Sequence, residues 1–167
     1  MRDKLINEMK EVFAGDKKRI RHTLAVLDYA EQIQAVEGGD ALVVTAAAIL
    51  HDIGIHEAER KYGSSAGKYQ EIEGPSIAEE ILKRYNVADD ATRHICRIVG
   101  SHHSAKDIDT TEFRIVWDAD WLVNIPTDFA NADKEKLQKI IDKVFKTRRG
   151  RQIAVESFIK KAETKNQ

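Results

Sequence analysis

The feature that most constrains this chain is the run ALVVTAAAIL, residues 41–50, followed at once by His51 and Asp52. The run is apolar on nearly every side, so as a helix it can only sit at the centre of a fold with other helices around it. Ending such a helix on an ionisable pair is costly, because an aspartate in an apolar interior needs a cation or several donors beside it. The sequence therefore predicts a buried central helix with a charged site at its C-terminal end. Asp40 suits its N-cap, and Gly54 is expected to stop it.

The remainder also reads as helix. From Asp16 onward, His22, Val26, Tyr29, Ile33 and Val36 recur at spacings of four and three, marking one face of an amphipathic helix that Gly38 and Gly39 end. Residues 62–74 (YGSSAGKYQEIEG) read as a loop, from which Pro75 starts a helix reaching about Tyr85. Asp89 or Asp90 is expected to cap a helix through Ile95, Ile98 and Val99 to His102 and His103. Phe113, Val116 and Asp120 share a face of a further helix ending before Pro126. Asp133 to about Lys161 reads as two charged amphipathic helices with a break near Gly150. No repeat or strand is legible. The expected class is all-α: one domain over 1–167, its core at about 16–125 and C-terminal helices at about 133–162 packed on it.

Composition narrows the functional classes. At 167 residues the chain is long enough to bury a core without staples. A net charge of −1 and a pI near 6.6 argue against holding nucleic acid by bulk positive charge, and the short basic run KTRRGR does not change that. Cys96 is the single cysteine, which excludes an intramolecular disulfide and a cysteine-cage zinc site. The N-terminal MRDKLINEMKEVF lacks the apolar core of a signal peptide, and no stretch approaches 18 uninterrupted apolar residues. A cytoplasmic protein without a membrane role is expected.

The histidines are placed unevenly. His22 lies on an otherwise apolar stripe, His51 adjoins Asp52, and His102 adjoins His103. A buried imidazole without a partner costs about 1–3 kcal/mol, so each of these needs one. Neutral imidazoles and carboxylates together suit divalent Fe, Mn, Co, Ni or Zn. VWDADWL adds Asp118 and Asp120, which a helix sets roughly 200° apart, so one can serve as ligand or base while the other is a supporting or surface group. Trp117 and Trp121 read as packing beside the site, with Trp121 able to line a pocket. His94 reads as a surface or packing residue.

Taken together, His22 in RHTLAV, His51–Asp52 in AAAILHDIG and Asp120 in DADWL resemble the HD-domain metal-dependent phosphohydrolases, over about Arg21 to Val123. The resemblance implies an all-helical fold, and one divalent metal held by His22, His51, Asp52 and Asp120. His102 and His103 in SHHS are similar to the histidines that hold a second metal in some members. Glu73, before Gly74-Pro75, stands where such relatives carry histidine, and its carboxylate is a candidate ligand. Ile55 in HDIGI stands where many relatives have lysine.

The reaction implied is hydrolysis of a phosphate ester, mono- or diester, of a small molecule such as a nucleotide. Asp52 would hold the metal and orient the nucleophile, with His56 as a proton donor or substrate contact. Arg21, Arg60, Lys61 and Lys68 are candidates for phosphate. The alternative is an HD module that binds metal and nucleotide in a regulatory role with little turnover. Self-association is compatible with either. GSSAG, Gly63 to Gly67, matches a serine-hydrolase elbow around Ser65, but no strand precedes it; Gly67-Lys68 fails the P-loop pattern because Tyr69 replaces Ser or Thr.

Overall fold

Residues 1–160 are described by a computed structural model. The apolar run forms α3 (Ala41–Leu50), and seven of its ten residues are buried. Asp40 caps it by accepting from the backbone N–H groups of Leu42 and Val43. The other helices are α1 (Arg2–Val12), α2 (Lys17–Glu37), α4 (Ile55–Tyr62), α5 (Gly67–Arg84), α6 (Asp89–Val99), α7 (Thr111–Asp128), α8 (Lys134–Val144) and α9 (Arg148–Ala154). After α9 the chain continues as a wider π-type turn over Val155–Lys160. No strand occurs among the described residues. The expected class, all-α around a buried central helix, is the one observed.

Helix α3 is enclosed by α1, α2, α6 and α7. The stretch 41–62 has the length and apolarity of a membrane-crossing helix by composition, yet 72% of its most apolar window is buried and the chain turns at 51–54. Helices α2 and α7 pack on each other, α5 lies against α4 and α6, and α9 lies against α7 and α2.

Several boundaries differ from the sequence reading. The N-terminal stretch, for which no element was expected, is α1; Leu5, Ile6, Met9 and Phe13 are buried and recur at helical spacing among the charges. The expected loop at 62–74 shrinks to 63–66, and Pro75 sits in the interior of α5. Pro126 likewise lies inside the last turns of α7. The C-terminal break falls at Phe145–Thr147, and Gly150 is inside α9. Lys161 and Ala162, the end of the expected C-terminal helices, lie outside the described residues.

Glycines determine how α5 seats. A Cβ on Gly54 would meet the Gly74 nitrogen at 2.6 Å and the Gln70 carbonyl oxygen at 2.7 Å, so the turn after Asp52 touches the α5 backbone directly. A Cβ on Gly74 would meet Val99 at 2.8 Å, and one on Gly67 would meet the His103 ring at 2.6 Å. Gly54 has an ordinary φ of −79°; close approach, not conformation, requires glycine there.

Candidate metal centre

Four segments converge at the C-terminal end of α3. Helix α2 brings His22, the end of α3 brings His51 and Asp52, α7 brings Asp120, and the turn after α6 brings His102 and His103. The ligand-capable atoms of His22, His51 and Asp52 all lie within 4.8 Å of one another, and so do those of Asp52, His102 and His103. Asp52 belongs to both groups through different oxygens. Its Oδ2 is 3.5 Å from His22 Nε2 and 3.4 Å from His51 Nε2, and its Oδ1 is 3.5 Å from His102 Nε2. Asp120 Oδ1 lies beside the first group, 3.1 Å from His22 Nε2 and 3.8 Å from His51 Nε2.

Hydrogen bonding on the far side of the rings shows what this arrangement requires. His51 Nδ1 donates to the Ala48 carbonyl at 2.8 Å, and His102 Nδ1 to the Val99 carbonyl at 2.7 Å. A carbonyl can only accept, so both Nδ1 atoms carry the proton and, in the neutral rings, both Nε2 atoms present lone pairs. Those lone pairs face carboxylate oxygens and, for His51, the His22 Nε2 at 3.4 Å. His102 Nε2 is buried with no hydrogen-bond partner. Lone pairs and carboxylates pointed at one another repel unless a cation lies among them. Backbone carbonyls fixing the outer nitrogens of ligating histidines is the arrangement metal sites use. The donor set of imidazole nitrogen and carboxylate oxygen fits a divalent transition metal.

Without a metal, protons take that place. Burial acts to lower the His51 pKa, but the charges of Asp52 and Asp120 override it and push it up to about 9. Burial would raise Asp52 and Asp120, but the neighbouring imidazoles, chiefly His51 and His102 for Asp52 and His22 and His51 for Asp120, hold both below the usual carboxylate range. His103 is exposed overall, yet burial of part of its ring, with His102 beside it, brings it down to about 4.

The HD domain family model matches residues 19–125, well over half of the chain and all of these residues. The chain belongs to the HD-domain family. The fold of this HD domain is similar to that of a predicted HD superfamily hydrolase from an uncultured Thermotogales bacterium, at a TM-score of 0.73 and 22% identity, covering 97% of this chain and 87% of that one. It is also similar to an HD-superfamily hydrolase from Bacillus thuringiensis, at a TM-score of 0.67 and 22% identity, covering 98% and 95%. No curated protein matches the sequence.

In this HD domain the cluster opens into a cleft of about 290 Å³, lined by His22, Asp52, Ile55, His103 and Asp120, with Gln70, Asn124, Asp16, Lys18 and Arg19. The basic residues at its mouth are therefore not the four expected. Arg21 is exposed and turned off the cleft, since it precedes His22 by one residue and points about 100° away. Arg60 pairs with Glu57, and Lys61 with Glu73 and Glu57. Lys68 lies 4.6 Å over the Tyr69 ring. Lys18 and Arg19, four and three residues before His22, share its helix face, a periodicity the sequence carried. Arg19 is bound to Asp16 at 2.9 Å and to Glu59 at 2.6 Å, while Lys18 makes no ion pair among the described residues.

Two other expected residues lie apart from the cluster. Glu73 is buried on α5, where its oxygens accept from Lys61 at 2.5 Å and Tyr62 at 2.8 Å; it belongs to neither ligand group. His56 sits against the α1–α2 turn, its Nδ1 3.2 Å from the Val12 carbonyl and its ring edge-on to Phe13. The two aspartates of DADWL divide as helix geometry demands. Asp120 joins the cluster, whereas Asp118 is fully buried on another face of α7, accepting from Lys146 N–H, Thr147 N–H and the Thr147 hydroxyl. His94 Nε2 hydrogen-bonds the Thr110 hydroxyl at 2.8 Å, a packing role.

Proposed function

We propose that this HD domain is a metal-dependent phosphohydrolase acting on a small phosphate ester, with a nucleotide as the best-fitting substrate class. The observation that carries the reading is Asp52, whose two oxygens each face a separate set of imidazole nitrogens beside an open cleft with lysine and arginine at its mouth. His22, His51, Asp52 and Asp120 would hold one divalent metal, and Asp52, His102 and His103 a second. A bound metal supplies Lewis acidity, acidifying water and neutralising charge on phosphoryl oxygens. Lys18 attracts the phosphate dianion at the cleft mouth. Arg19 is held by Asp16 and Glu59, whose carboxylates offset its charge, so Lys18 is the cation left to meet phosphate. Gln70, on the cleft wall, donates to the Ser65 carbonyl at 2.7 Å, and its Oε1 is buried without a partner.

The test is metal content by elemental analysis on protein purified without chelator or nickel, beside Asp52→Ala, followed by phosphate release from a panel of nucleotides and simple phosphomonoesters. One or two equivalents of metal, lost in the variant along with phosphate release, support the reading. A metal-free wild type that gains no activity with added Mn²⁺ or Fe²⁺ overturns it. The regulatory alternative draws on two observations: Ile55 gives the cleft an apolar wall where many relatives have lysine, and Glu73 is engaged elsewhere. Nucleotide binding with metal but without turnover would favour it.

A further inference from the structure

A second cleft, of about 190 Å³, opens from the other side of the same cluster. The two clefts share His103, Asp120 and Asn124 and differ elsewhere. Where the first has Lys18 and Arg19, the second is lined by Trp117, Trp121 and the exposed Asp128, with Lys146 Nζ 5.1 Å from the Trp117 ring centroid. Trp121 lies nearly parallel to Phe129, at 6.3 Å and 18°, which fixes the plane of its indole.

The polar groups of this cleft are unevenly used. The Trp117 indole N–H donates to the Val144 carbonyl at 3.0 Å and is spent. Asn124 gives its Nδ2 to Asp120 at 2.9 Å, which leaves its Oδ1 as an acceptor. The Trp121 indole N–H and the Asp128 carboxylate have no partner among the described residues. The cleft thus offers an aromatic face, one donor and two acceptors. Asp128 adds a carboxylate that no lysine or arginine of the lining offsets, which makes it unfavourable for an anion.

Resting on the phosphohydrolase reading, we propose that this cleft holds the nucleoside end of the substrate, its base stacked on Trp121, while phosphate groups lie toward Lys18. Stacking suits any base because each has a π-face, and the exposed amino and imino hydrogens of a base match Asn124 and Asp128. Each cleft falls below the roughly 300 Å³ where ligand sites usually begin, which fits one small substrate spanning both. A second phosphate belongs on the Lys18 side, because lysine and arginine line that cleft and neither lines this one.

Both tryptophans of the chain line this cleft, so intrinsic fluorescence reports on it directly. The experiment titrates the metal-loaded protein with the four nucleosides, their 5′-monophosphates and inorganic phosphate, exciting beyond nucleobase absorption. At least one nucleoside and its monophosphate should change the fluorescence saturably, while inorganic phosphate does not. Trp121→Leu should weaken binding of that nucleoside roughly tenfold, with inorganic phosphate affinity by calorimetry unchanged. Asp128→Ala, at an exposed position, should weaken it severalfold and stands in if Trp121→Leu fails to fold. Monophosphates that bind by equilibrium dialysis without touching the fluorescence, and equally well to both variants, overturn the assignment and leave the phosphohydrolase reading standing. Nucleosides that bind through Trp121 in a protein that releases no phosphate from any ester uphold the cleft and overturn the reading. Failure of every nucleoside and nucleotide to bind overturns the assignment.

Discussion

Replacing Asp118 by alanine should destabilise the protein by about 3 kcal/mol at neutral pH while leaving metal content unchanged. Its carboxylate accepts three hydrogen bonds, from Lys146 N–H at 2.8 Å, Thr147 N–H at 2.7 Å and the Thr147 hydroxyl at 2.6 Å. Thr147 is buried, so its stranded N–H costs about 1–3 kcal/mol, whereas the N–H of the exposed Lys146 can find water. Thr147 in turn caps α9 through Gly150 N–H at 3.0 Å, and loosening that cap adds about 1 kcal/mol. The penalty should depend on pH with a definite sign. Burial outweighs the bonds from Thr147 and Lys146 and pushes the Asp118 pKa up from 3.8 to about 6. A raised folded pKa means that the native state holds the proton more tightly. The associated stability is fully present below pH 3.8 and is lost as pH rises through 6. The variant should therefore suffer more at pH 4 than at pH 7, by up to about 3 kcal/mol. Urea unfolding at both pH values, with elemental analysis, measures this. A cost below about 1 kcal/mol, a penalty growing toward alkaline pH, or loss of metal without loss of stability would refute the division of labour between Asp118 and Asp120.

Other expectations are as specific. Gly54→Ala should cost about 1–3 kcal/mol in thermal or denaturant unfolding, because its Cβ meets α5 backbone rather than a movable side chain; an unchanged stability would show that α5 shifts freely. In metal-free protein, the raised His51 pKa contributes up to about 3 kcal/mol that is fully present below pH 6.5 and lost as pH rises through about 9. Bound metal replaces that proton, so the alkaline decline should flatten on adding Mn²⁺ or Zn²⁺, and a decline identical with and without metal would contradict it. Lys18→Ala should raise KM for a phosphate ester severalfold with metal content intact, whereas Arg21→Ala should change neither; equal effects would mean the cleft mouth is misassigned.

What the sequence made legible follows from where local rules dominate. The central helix could be read because ALVVTAAAIL leaves it no surface, and His22, His51, Asp52 and Asp120 because their spacing relates to it. The 200° separation of Asp118 and Asp120 was legible too, but not that the odd one out would be buried against Thr147, since that contact spans 29 residues. Helix α1 was hidden because Leu5, Ile6 and Met9 are diluted by charges; only packing on α3 shows them to be core. Helix α5 was missed because its glycines and Pro75 read as loop signals, while tertiary contact at those same glycines is what the helix needs. Arg21 adjoins His22 in sequence, but Lys18 and Arg19 share its helix face, because neighbours along the chain point about 100° apart. Lys61 and Glu73 could not have been paired without the α4–α5 hairpin that joins them.

The contact of Gly54 with α5 has a consequence for how such a site can be altered. Main chain rests on main chain beneath Asp52, and Gly67 rests on the ring of His103. Between Gly54 and α5 the gap therefore works like a gauge block, with no rotamer to turn and no side chain to trim that would widen it. New substrates would have to be admitted at the jaws, where Lys18 and Trp121 can be exchanged without disturbing the block on which the His–Asp cluster stands.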